Sequence, residues 1–146
     1  MAKSAKKPCT TTNTIMEALL HYVWQHRLFA PIALKTTRGE SVEVLDVGLH
    51  NSDAGPDFFN AKLRIAQQLW VGNVEIHLRS SDWFRHQHET DAHYDNVILH
   101  VVGEADVEVT TLSGRTLPQL IIEVPDFVRE NYQTLMAEDA YPPCHR

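Results

Sequence analysis

The stretch Leu69-Trp-Val-Gly-Asn-Val-Glu-Ile-His-Leu78 decides how the rest of the chain is read. Val74, Ile76 and Leu78 alternate with Glu75 and His77, a period of two that predicts a strand with an apolar and a polar face. Phe58 to Ile65 alternates as well, with Phe59, Ala61, Leu63 and Ile65 set against Asn60, Lys62 and Arg64, and the two segments pair as a hairpin. Further on, Val97 to Val102 is an almost unbroken apolar run, as expected of a strand covered on both faces.

Around this centre the pattern changes period. Met16, Leu19, Leu20 and Val23 recur at helical spacing, predicting a helix from about Ile15 to Leu28, capped by Thr14 and stopped before Pro31, with Glu17, His21 and Trp24 on an adjacent face. Ser41 to Val47 reads as a strand, and Gly48 to Asp57 as a loop rich in turn formers. Ser80-Ser-Asp82 offers caps for a short helical turn through Trp83 and Phe84. Val107 to Thr111 and Leu117 to Val124 suggest a hairpin around Ser113-Gly114. Pro125-Asp126 opens a last helix to about Ala137, with Val128, Tyr132, Leu135 and Met136 on one side. The expected fold is α+β: an N-terminal helix on a mixed sheet of about five to seven strands, with a C-terminal helix. Residues 1–14 read as a flexible tail, 15–140 as a single domain, and 141–146 as the start of a linker into a longer protein.

Composition agrees with a folded domain. Of 146 residues 43% are hydrophobic and 22% charged, which provides a core rather than disorder. No apolar run approaches the roughly 20 residues of a membrane helix, and no apolar segment follows the basic start, so a cytoplasmic protein is expected. Cys9 and Cys144 lack the partners of a zinc finger and read as free thiols, with a disulfide between the two ends as the alternative. Net charge is −6. With Lys3, Lys6 and Lys7 set aside, the body from Ile15 has 10 basic residues against 19 acidic, a field that repels phosphate. A nucleic-acid substrate therefore needs a metal, or the local patch of Lys62, Arg64, Arg79 and Arg85 interleaved with Trp70, Trp83 and Phe84, residues that core packing and snorkelling arginines explain more often.

Two groups of side chains can carry chemistry. Glu75 and His77 share a strand face about 7 Å apart, and Asp57, delivered by the tight turn Ala54-Gly-Pro-Asp57, stands at the mouth of the neighbouring strand. Two carboxylates with an open coordination position suit Mg²⁺ or Mn²⁺, and a third group can orient or deprotonate water. Asp53 in the same loop is a secondary candidate, and so is Glu17 if its helix packs beside the Asp57 strand. An ordinary polar strand face has the same appearance. The second group is His86, His88, Asp91, His93 and Asp95, flanked by His77 and His100. Five of nine histidines fall between His77 and His100, and imidazoles at His86, His88 and His93 suit zinc, an extended His-x-His pair being able to chelate. A polar loop whose histidines bond to backbone is the alternative. His100, inside an apolar strand, reads as a hydrogen-bonded core residue rather than a ligand.

Asn51 to Ala61, Gly72 to His77, Ser81-Asp-Trp83 and Tyr94 to Val102 together resemble an uncharacterised bacterial family, common in Bacteroidetes, that carries only a domain-of-unknown-function label. The resemblance covers about residues 15 to 146, implies a longer parent protein and supplies no activity. The order of elements, with Pro56-Asp57 leading one strand and Glu75-x-His77 on the next, is also similar to the PD-(D/E)xK nuclease-like core. That resemblance implies Asp57 and Glu75 as ligands of Mg²⁺ or Mn²⁺, Glu17 as the helix acid, and His77 where a water-activating lysine is usual. The expectation is a metal-dependent, nuclease-like phosphodiesterase with Asp57, Glu75 and His77 at its centre. The alternative is a non-catalytic module that binds zinc through the His86–Asp95 loop or serves as an interaction surface.

Overall fold

A computed structural model describes residues 12–29 and 33–132. The cysteines, the basic tail residues, Pro31, Leu135, Met136 and the 141–146 segment lie outside them. The elements are α1 (Thr12–Gln25), β1 (Leu34–Lys35), β2 (Ser41–Asp46), β3 (Leu49–His50), β4 (Phe58–Ile65), β5 (Gln68–Arg79), α2 (Asp82–Arg85), two 3₁₀ turns (His88–Thr90 and Ala92–Tyr94), β6 (Val97–Glu104), β7 (Gln119–Ile121) and α3 (Asp126–Glu130). The expected α+β class holds: an N-terminal helix, a mixed seven-stranded sheet and a C-terminal helix.

The sheet runs β1-β2-β4-β5-β6-β7, with β3 beside β4 on the edge that β2 also uses. β4 and β5 are antiparallel, whereas β5, β6 and β7 are mutually parallel. A bridge from Thr36 to Leu120 and a Thr37 N–H donated to the Gln119 carbonyl at 2.9 Å draw the two edges together, so the sheet is curled almost to closure. The main core lies between the sheet and α1, where Leu19, Leu20, Val23 and Trp24 meet Phe58, Leu63, Val74, Ile76, Leu99 and Val101. Trp24 belongs to this buried stripe rather than to the adjacent face, and its indole N–H donates to the Val47 carbonyl at 3.1 Å. A second cluster, Trp83, Tyr94, Val97, Val109 and Leu117, forms around the β5–β6 crossover.

Several boundaries differ from the sequence expectation, each for a local reason. The helix begins at Thr12, ahead of the Thr14 cap and inside the expected tail. In β4 the buried residues are Phe58, Ala61, Leu63 and Ile65, and Phe59 is only half-buried. Asn60 has φ of 61° and the β4–β5 register shifts between Phe58 and Ala61, so a bulge changes the phase of the alternation. The 107–124 hairpin is reduced to one bridge, Thr110 with Thr116, because Gln119–Ile121 pairs in parallel with β6 instead. Trp83 is fully buried with its indole N–H on the Thr110 carbonyl at 2.8 Å, so it is a core residue and no stacking platform.

A parallel neighbour requires a crossover of a dozen or more residues. Between β5 and β6 that crossover is built from α2 and the two 3₁₀ turns, and it carries His86 and His88 over the Glu75–His77 end of β5.

Candidate metal centre

Asp57 owes its position to Asn51. The Asn51 amide nitrogen sits 3.2, 3.0 and 2.9 Å from the carbonyl oxygens of Asp53, Ala54 and Pro56, and the Asn51 backbone N–H donates to the Asp57 carbonyl at 2.8 Å. The loop is thereby wound around one side chain and ends at the start of β4.

From there Asp57 and Glu75 hold each other's strands. The Asp57 N–H donates to Glu75 Oε1 at 3.1 Å, and the Ile76 N–H donates to Asp57 Oδ2 at 2.8 Å. His21 Nε2 on α1 lies 3.6 Å from the same Asp57 oxygen. Glu17, one turn earlier on α1, feels the Asp57 charge, so that helix does pack beside the β4 entry. Burial, then the charges of Asp57 and Asp82, push the Glu17 carboxyl up to about 7. Glu75 is 4% exposed, and burial followed by the Asp57 charge pushes its carboxyl up to about 10. Three acids from α1, β4 and β5 are therefore crowded together.

The second oxygen of Glu75 faces the histidines. His77 Nε2 stands 3.3 Å and His88 Nε2 3.1 Å from Glu75 Oε2. Burial, then neighbouring histidines, hold His77 down to about 2. Burial and His86 hold His88 down to about 4. With Glu75 raised and the imidazoles lowered, these contacts are hydrogen bonds between neutral groups rather than ion pairs. His86 Nδ1 approaches His77 Nε2 at 3.3 Å, and one ring nitrogen from each of His77, His86 and His88 lies within 4.8 Å of the others. These three imidazoles can hold a metal ion. Tyr94 stacks on His88 at 3.6 Å between ring centres, and Trp83 stands edge-on to both His88 and His100 at 5.2 Å, so the histidine half has aromatic walls.

The approach of His86 to His88 depends on the residue between them. Gln87 has φ 60° and ψ 32°, a left-handed conformation uncommon for a residue with a side chain. The two rings stand 5.5 Å apart on this tight turn, whereas the expected chelating His-x-His pair would reach one side from an extended chain.

The remaining candidates lie elsewhere. His93 is 84% exposed at its side chain and bonds to Asp91 at 2.9 Å. Asp95 accepts from the Ser113 N–H at 3.0 Å, and Asp53 is exposed, its own N–H donated to Asn51 Oδ1 at 3.0 Å. The loop from His86 to Asp95 thus sends only His86 and His88 into the site. In the basic patch, Arg64 pairs with Glu43 at 2.6 Å, Arg79 with Glu104 at 3.4 Å and Arg85 with Asp82 at 3.1 Å, while Lys62 is exposed. His100 is the satisfied core histidine expected, 2.9 Å from Gln119 Oε1 and 2.8 Å from His77 Nδ1. Gln119 has no sequence signal that would connect it to the site.

A family model described as "Protein of unknown function (DUF2851)" matches residues 17–146. That agrees with the resemblance to an uncharacterised family, and the description carries no activity. No curated protein and no solved structure matches the chain. Among the described residues, no helix is long and apolar enough to cross a membrane.

Proposed function

The chain belongs to the DUF2851 family, and we propose that it is a divalent-metal-dependent hydrolase of the nuclease-like phosphodiesterase class, with Mg²⁺ or Mn²⁺ held by Asp57 and Glu75. The observation that carries this reading is the pairing of Asp57 and Glu75 across adjacent strands, locked by two backbone N–H bonds, with His77 Nε2 3.3 Å from the second Glu75 oxygen. Acids in this position raise one another's proton affinity, and a divalent cation can replace the proton that they would otherwise hold. Hard oxygen donors fit Mg²⁺ or Mn²⁺. A bound ion of this kind supplies Lewis-acid polarisation of a phosphoryl oxygen and a water of lowered pKa. The chain's own contribution is to fix two carboxylates across adjacent strands, to aim the His77 Nε2 lone pair at the same spot, where it can join the ligands or orient a water, and to line one side with Trp83 and Tyr94. A cation here also offsets the acidic field that otherwise keeps a phosphate substrate away.

The test uses metal-stripped protein given Mg²⁺, Mn²⁺ or Zn²⁺ and offered single-stranded DNA, duplex DNA, RNA and a simple phosphodiester. Cleavage that appears with added metal, and falls by on the order of a thousandfold in Asp57→Asn, supports the reading, since several kcal/mol of transition-state stabilisation are then removed. Absence of cleavage on every substrate, or full activity in Asp57→Asn, removes it.

One observation favours a second reading, a zinc module without catalysis. Donor atoms on a tetrahedral ion at about 2.0–2.1 Å stand roughly 3.3 Å apart. The His77–His86, His77–Glu75 and His88–Glu75 separations are 3.3, 3.3 and 3.1 Å. Metal analysis of protein purified without chelator separates the two readings. One equivalent of retained zinc, together with inert behaviour toward phosphodiesters, favours the module.

A further inference from the structure

We infer that Gln119 and His100 are positioning residues that lock His77 in the tautomer with hydrogen on Nδ1, leaving its Nε2 lone pair aimed at Glu75 and His86. The inference rests on the metal-centre reading for its purpose, but its derivation uses only hydrogen-bond direction. The Gln119 Nε2 lies 2.9 Å from the Val107 carbonyl oxygen, which can only accept. That contact fixes the amide orientation and leaves Oε1 as the atom facing His100 Nδ1 at 2.9 Å. A carbonyl oxygen accepts, so His100 carries its hydrogen on Nδ1. His100 is fully buried, where an uncompensated charge is costly, so the ring is neutral and its Nε2 is bare. The His77 Nδ1 at 2.8 Å must then donate, and the neutral His77 ring presents a bare Nε2 on its other side.

The atoms that this lone pair meets are Glu75 Oε2 and His86 Nδ1, both at 3.3 Å. On the far side of Glu75 Oε2, His88 Nε2 at 3.1 Å can donate to the same oxygen. His88 Nδ1, buried with no partner among the described residues, is then a bare nitrogen rather than a stranded N–H. Among those residues no comparable anchor fixes the His88 ring. His77 is the ligand whose orientation is set in advance, by a relay reaching from β5 through β6 to β7. A ligating imidazole held through its other nitrogen is a recurrent feature of metal centres, and loss of such a partner typically lowers affinity 10–100-fold.

Two-bond ¹H–¹⁵N correlation spectra of the metal-stripped, ¹⁵N-labelled chain, with His77 assigned against a His77→Gln sample, read the tautomer directly. The expected result is Nδ1–H for His77 in the wild type and a tautomer mixture in Gln119→Met, with Zn²⁺ or Mn²⁺ affinity of that variant lowered about 10–100-fold. Leu120→Val, which disturbs packing beside Gln119 and leaves the relay intact, should hold its affinity within about twofold. An Nε2–H or doubly protonated His77 in the wild type overturns the inference, whether or not the variant folds. So does an unchanged His77 tautomer in Gln119→Met, or an equal loss of affinity in Leu120→Val. If the wild type binds neither metal but shows Nδ1–H, the hydrolase reading falls and the relay stands.

Discussion

Asp57 and Glu75 exchange bonds across β4 and β5: the N–H of Asp57 reaches the carboxylate of Glu75, and the N–H that follows Glu75 reaches the carboxylate of Asp57. The two acids are thus parts of the hairpin's own pairing, which removes the freedom either would need to turn away. Because burial keeps Glu75 protonated without metal, an amide is a close substitute for its resting form. Glu75→Gln should therefore fold with stability within about 1 kcal/mol of the parent at pH 7. Metal binding and any metal-dependent cleavage should be lost. Urea titration and calorimetric metal titration of one sample check both halves. Retained metal affinity in this variant would count against Glu75 as a ligand.

The ionisation pattern predicts a stability optimum on the acid side of neutrality for metal-stripped protein. Glu17 and Glu75 have folded values raised to about 7 and about 10 from 4.5. Their contribution is complete below about pH 4.5 and is lost as pH rises, first through Glu17 and then through Glu75. His77, His88 and His100 are lowered from 6.5 to about 2, 4 and 4. Theirs is complete above about pH 6.5 and is lost as pH falls through those values. Between about pH 4.5 and 6.5 the three histidines outweigh the two acids, so the maximum falls near pH 6.5, with stability declining from about pH 7 toward 9. Bound metal replaces the Glu75 proton, so saturation should flatten the alkaline decline and release protons into weakly buffered solution. Thermal melts across pH, with and without Mn²⁺ or Zn²⁺, test this. Stability of the stripped protein that rises between pH 7 and 9 would contradict it.

The crossover histidines should divide sharply. His86→Ala removes a nitrogen from the trio and should weaken Zn²⁺ binding by at least about tenfold. His93→Ala, at an exposed ring bonded only to Asp91 among the described residues, should change neither Zn²⁺ affinity nor, by more than about 0.5 kcal/mol, stability. Competition with a chromogenic zinc chelator gives both numbers. Equal losses in the two variants would mean that the loop binds metal in another arrangement.

Much of the frame was legible because it depends on short-range pattern. The alternation around Glu75 and His77 and the apolar run at Val97 reported β5 and β6, and Glu17 gained meaning once α1 lay beside β4. What escaped was set by backbone conformations that composition does not announce. Asn60 and Gln87 both adopt positive φ without being glycine; the first shifts the phase of the alternation in β4, and the second folds the His86–His88 pair into a tight turn. Gln119 was invisible for a different reason. Its role arises only when β7 joins β6 in parallel, a pairing that the expected 107–124 hairpin would have prevented.

Asn51 offers the last test, because its side chain acts on the site only through the turn that delivers Asp57. Its amide N–H groups serve the carbonyls of Asp53, Ala54 and Pro56, and those bonds shape the turn that ends at Asp57. Asn51→Asp keeps the shape, removes both donors and sets a carboxylate against three carbonyl oxygens. The expected cost is about 1–3 kcal/mol of stability, the usual penalty for stranding polar groups that are partly shielded from water. Because β4 and β5 remain paired below the turn, the sheet should persist, and the larger effect should fall on metal affinity as Asp57 loses its fixed approach. Circular dichroism and urea melts report the first effect, and metal titration reports the second. Normal affinity in a folded Asn51→Asp variant would show that the β4–β5 bonds alone hold Asp57 in place.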